Sequence, residues 1–97
     1  MADTALVLRT PLGQLHKLSL ESVEWLDLNL PDGLSLRSAV HTLLTRVERS
    51  RLQMLLEVEI DRAEALELRR VLAEALRTED LPQSLVDLEF TLRSLPA

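Results

Sequence analysis

The chain has 97 residues, 46% of them hydrophobic, with 16 acids against 11 bases, a formal charge of −5 and no cysteine. A chain of this size buries roughly 60–70% of the surface its unfolded form would expose, so a single small domain over 1–97 with one modest core is expected. The acidic balance repels phosphate backbones and anionic membranes. One Trp, one Phe and no Tyr leave no stacking platform for nucleotide bases. The lack of cysteine removes disulfides, thiolate nucleophiles and cysteine zinc sites.

Met1-Ala2-Asp3-Thr4 has neither the basic start nor the long apolar stretch of a secretory signal, and no segment approaches the ~20 apolar residues of a membrane helix. A cytoplasmic protein is expected. Ten of the eleven bases are Arg, with Lys17 the exception, a bias that GC-rich prokaryotic coding produces without any role in recognition.

Ala5-Leu6-Val7-Leu8-Arg9 leads into Thr10-Pro11-Leu12-Gly13, whose Pro and Gly suit a type I turn with a following bulge, so the chain is predicted to open with a hairpin. In its second arm His16, Leu18 and Leu20 alternate with Leu15, Lys17 and Ser19, as in a half-buried strand. Across 22–30 the same alternation sets Leu26, Leu28 and Leu30 against Val23, Trp25, Asp27 and Asn29, before the turn residues Pro31-Asp32-Gly33. That pattern predicts a third strand.

Leu36, Val40, Leu43, Leu44 and Val47 follow the 3.6-residue period, and Arg46, Arg49 and Arg51 gather where they would complement a helix C-terminus. An amphipathic helix over about 35–50 is expected. From 52 to 60, Met54, Leu56, Val58 and Ile60 alternate with Gln53, Leu55, Glu57 and Glu59, which predicts a strand; a continuous helix over 35–78 is the competing reading.

Asp61 followed by Glu64 has the form of a capping box, and a second helix should run from there to about Arg77. Its stripe of Leu68, Val71, Leu72, Ala75 and Leu76 is widened by Ala63, Ala65, Leu66 and Ala73 beyond what one sheet would cover, which points to a second neighbour. The tail alternates Val86, Leu88, Phe90 and Leu92 with Asp87, Glu89, Thr91 and Arg93 and is predicted as a strand. Leu81, Leu85, Leu88, Leu92 and Leu95 would also suit a helix. The fold class is therefore α+β, a two-layer α/β sandwich in the order β-β-β-α-β-α-β with the helices on one face of a mixed sheet.

No constellation speaks for catalysis or a cofactor. His16 and His41 lack the spacing of a helical metal pair, no serine sits in a nucleophile elbow, and Gly13 and Gly33 are isolated turn glycines rather than a phosphate loop. No cofactor and no metal site are expected, and the chain is not expected to be an enzyme. The arginines at 46, 49 and 51 and at 69–70 are interrupted or flanked by Glu48, Glu67 and Glu74, as on a solvated helix surface.

The alternation places Asp27, Glu57, Glu59, Asp87 and Glu89 on one sheet face opposite the helices, where facing acids repel by ~0.2–1 kcal/mol per pair unless Arg9, Lys17 or Arg93 intervenes. Trp25 and Leu55 fall on the same face. An apolar pair ringed by carboxylates has the composition of an interface centre and rim; a solvated face or a small second core over Trp25 are the alternatives. The expected function is that of a noncatalytic protein-interaction module, a small adaptor, regulatory or assembly subunit. It would bind a protein partner or a second copy of itself, as a homodimer, through this acidic face or a sheet edge, without nucleic acid or membrane. A small-molecule-sensing regulatory domain with its ligand between subunits is the alternative function.

Overall fold

The computed structural model describes residues 4–50 and 56–95. Strand β1 (Thr4–Arg9) turns back into β2 (Leu15–Ser19), helices α1 (Leu20–Asn29) and α2 (Ser35–Ser50) follow, then β3 (Leu56–Glu59), α3 (Arg62–Leu76) and α4 (Gln83–Leu92). The sheet order is β2-β1-β3. β1 pairs antiparallel with β2 and parallel with β3, so the sheet is mixed, as expected of this α+β sandwich.

The hairpin forms for the reason its sequence suggests. Gly13 takes φ +86°, a backbone state glycine reaches without a Cβ penalty, and its amide donates to the Thr10 carbonyl at 2.9 Å. Register sets Leu6 beside Leu18 and Leu8 beside His16. Leu6, Leu8 and Leu18 are fully buried and His16 half-buried, so this is the face the helices cover. α1 packs on β1 and β2, α4 on β2, and α2 on β3, while α3 lies against α4.

Two of the expected strands are helices. Residues 22–29 belong to α1, with Leu30 as its C-cap; Ser19 is the N-cap and its hydroxyl accepts from the Ser22 amide at 3.2 Å. Val23, Leu26 and Leu30 then line up at helical spacing and are buried, whereas Leu28, which the alternation set inside, is 82% exposed. Residues 84–94 are likewise not a strand: α4 buries Leu85, Leu88 and Leu92 as one stripe, and Leu81 and Leu95 beyond its two ends are buried with them. As a strand the tail would put Phe90 inside; it is 69% exposed. The element order is therefore β-β-α-α-β-α-α.

The helix α2 and the strand β3 follow the sequence reading, and β3 rules out a single helix over 35–78. The first part of the predicted strand, 52–55, lies outside the described residues, as does Arg51. The broad stripe of α3 finds its second neighbour within the chain, against α4.

The helix starts are joined by side chains from elsewhere. Ser22, fully buried, meets the Ser84 hydroxyl of α4 in a close Oγ–Oγ contact, and the Ser19 amide donates to Ser84 Oγ at 3.3 Å. Three hydroxyls thus fasten the β2–α1 corner to α4. Asp61 caps α3, its Oδ1 accepting from the Glu64 amide at 2.8 Å. Glu64 does not complete the capping box on its own helix but reaches to α2, accepting from the Ser35 amide at 2.8 Å, the Ser35 hydroxyl at 2.6 Å and the Leu36 amide at 3.4 Å. A carboxylate there satisfies orphan amides and complements the helix dipole.

Asp61→Ala and Glu64→Ala are each expected to cost ~0.5–2 kcal/mol in denaturant titration. Hydrogen exchange separates them: the first should speed exchange of the Glu64 amide, the second of the Ser35 and Leu36 amides in the neighbouring helix.

Candidate functional site

The face of the sheet turned away from the helices carries Val7 and Arg9 on β1, Leu15 and Lys17 on β2, and Glu57 and Glu59 on β3. Register sets Val7 between Lys17 and Glu57, and Arg9 between Leu15 and Glu59. Leu15 is 55% exposed, Val7 and Arg9 half-buried, and Lys17, Glu57 and Glu59 exposed. Arg9 Nη2 donates to Glu57 Oε1 at 3.2 Å, so one base does intervene among the acids. Lys17 and Glu59 have no ion-pair partner among the described residues. Charge is divided by strand, with the bases on β1 and β2 and the acids on β3. Leu12, 53% exposed at the hairpin turn, adds apolar surface near Leu15 in the chain.

Of the residues expected to share that face, Glu57 and Glu59 do. Leu55 lies outside the described residues. Trp25, Asp27, Asp87 and Glu89 sit on helices, because the period-two register that would have aligned them does not exist in 22–30 or 84–94. Trp25 is half-buried on α1, packs against the core and donates Nε1–H to Glu79 Oε1 at 2.9 Å. Asp27 turns toward α2, with Oδ1 at 3.5 Å from both Arg37 Nε and His41 Nδ1. Arg37 itself donates to Asp32 Oδ1 at 2.8 Å and to the Leu30 carbonyl at 3.2 Å, which ties the α1–α2 turn. Asp87 is exposed and accepts from Gln83 Nε2 at 2.8 Å.

Glu89 is 2% exposed, the one buried acid among the described residues. Arg93, one turn later, donates Nε to both its oxygens at 2.9 and 2.7 Å and Nη2 to Oε1 at 2.5 Å. Hydrogen bonding to Glu89, and then its charge, hold the Arg93 guanidinium above its ordinary pKa. The Arg93 guanidinium also stands 5.7 Å from the centroid of the exposed Phe90 ring. The pair does structural work on α4 rather than belonging to the sheet face.

Val7, Arg9, Leu15 and Lys17 replace the helical residues in the site. Their signal was the second phase of the hairpin alternation, which had already set Leu15 and Lys17 opposite Leu18. Among the described residues no group of three or more His, Cys, Asp or Glu could hold a metal ion, and no helix is long and apolar enough to cross a membrane. No protein-family model, curated protein or solved structure matches the chain.

Arg93→Met would leave the Glu89 carboxylate buried without its counter-charge. A measurable loss of stability by urea unfolding near neutral pH is expected, moderated because Arg93 is itself largely exposed. Glu89→Gln, which removes the buried charge together with its need for a partner, should cost less than Arg93→Met.

Proposed function

We propose that the protein is a noncatalytic interaction module that docks through the open face of its sheet, and that the partner is a second copy of the same chain. The observation that supports this reading is the division of charge across the sheet face that lies opposite the helices among the described residues. Lys17 on one edge strand and Glu59 on the other are unpaired among the described residues, while Val7 and Leu15 provide the apolar centre.

Two such sheets stacked face to face lie ~10 Å apart with strands roughly aligned. A two-fold axis parallel to β1 lays β2 of one copy over β3 of the other. Lys17 then meets Glu57 and Glu59 of the second copy, twice by symmetry, as an isologous contact requires. The three short strands present only on the order of 200–300 Å², well below the ~800 Å² per partner of a standard interface. Association by this face is therefore weak and reversible, suited to an assembly or regulatory subunit rather than an obligate dimer. Its exposed charges would govern encounter rate and pairing orientation more than affinity.

Sedimentation velocity over a micromolar to near-millimolar range should give a monomer–dimer equilibrium that weakens with salt. Lys17→Glu and Glu59→Lys should each shift it toward monomer, and the double charge swap should restore it, because complementarity returns across the axis. A monomer at every concentration would end the reading. A dimer insensitive to both single swaps would place the contact elsewhere.

A further inference from the structure

The groove between α3 and α4 has an electrostatic character opposite to that of the chain. It is lined by Arg69, Ala73, Leu76 and Arg77 from the α3 side and by Glu89 and Arg93 from the α4 side, and is an open groove with a volume of about 440 Å³. Arg69 and Arg77 are eight residues apart, ~12 Å along a helix axis. Ala73 lies midway and is exposed, so the flank is low between two long cationic side chains.

The charges in this groove do not balance. Glu89 is taken up by Arg93, which grips both of its oxygens. Arg69 donates Nη1 to the Leu95 carbonyl at 2.9 Å, which orients the side chain but supplies no counter-charge. The Arg77 side chain has neither an ion pair nor a hydrogen bond among the described residues. Among the residues that line the groove, no acid is therefore left to offset the guanidinium charges of Arg69 and Arg77, in a chain whose formal charge is −5. Of the acids nearest in sequence, Glu67 and Glu74 are engaged by Arg70 and Glu79 accepts from the Trp25 indole, while Asp80 is exposed and does not line the groove. Charges farther away than the ~8–10 Å screening length at ordinary ionic strength contribute little.

We propose that this groove binds an acidic segment of a protein partner, with Arg69 and Arg77 each taking one carboxylate and Ala73 and Leu76 forming the floor between them. Guanidinium forks match carboxylates in a bidentate manner. An extended chain advances ~3.3 Å per residue, so acids about four residues apart span the distance between the two arginines. A mononuclear anion would occupy only one end and leave the other charge unmet. The site is separate from the open sheet face and does not depend on dimerisation through it.

The test is titration of the whole protein with a hexaglutamate peptide at low salt, by calorimetry and by the shifts of arginine Nε–H resonances. Binding that moves the Arg69 and Arg77 signals, and weakens about tenfold in Arg77→Gln, is the expected result. Ala73→Glu, which fills the exposed centre of the groove with a negative charge that repels the peptide, should weaken it at least as much, with thermal unfolding showing that both variants remain folded. No binding at low salt, or equal affinity in wild type and Arg77→Gln, would overturn the proposal. Pyrophosphate binding that depends on Arg77 without any peptide binding would also overturn it, reassigning the groove to a small dianion.

Discussion

The fold depends on the burial of β1. This strand is hydrogen-bonded on both sides, to β2 and to β3, and its inward residues Leu6 and Leu8 are fully buried. A three-stranded sheet has one face to hide, and aliphatic side chains alone must hide it, since each buried leucine contributes only ~1.5–3 kcal/mol relative to exposure. Leucines of α1, α2, α3 and α4 all join the same cluster as Leu6 and Leu8. The other face keeps its mixture of charge and apolar surface because, among the described residues, the helices all join the core on the first.

Polar contacts at helix starts then fix how the helices lie on that core. Ser19, Ser22 and Ser84 join the β2–α1 corner to α4, and Glu64 joins α3 to the first turn of α2. These amides have no partner within their own helices, so they are the natural points at which one helix can hold another. Hydroxyls and carboxylates held by specific partners also favour a single arrangement, whereas leucine packing tolerates several.

The hairpin, α2, β3, α3 and the Asp61 cap were legible because in each the spacing and the local turn or cap chemistry agree. In 22–30 they disagree: Leu26, Leu28 and Leu30 alternate like a strand, but Ser19 three residues before Ser22 is a helix start, and Val23, Leu26 and Leu30 fit one helical stripe. In 84–94 every second residue is apolar, yet Leu85, Leu88 and Leu92 sit at helical spacing, and a helix puts the whole leucine stripe inside. Burial settled both conflicts in favour of the helix. The candidate site moved with them, since Glu57 and Glu59 rest on a true strand while Trp25, Asp27, Asp87 and Glu89 were aligned by a register that two helices do not have. The reach of Glu64 to Ser35 depends on tertiary placement and leaves no mark in local sequence.

Trp25 gives the sparse aromatic composition a spectroscopic use. It is the single tryptophan of a chain without tyrosine, and it sits half-buried with its indole N–H on Glu79, at the far end of α3 from the Asp61 cap. Ultraviolet emission from this protein thus originates at one place, the seam between α1 and the α3–α4 turn. Any slippage of α1 against that turn changes the water and charge around one indole, and the emission of the whole molecule reports it without a second fluorophore to subtract.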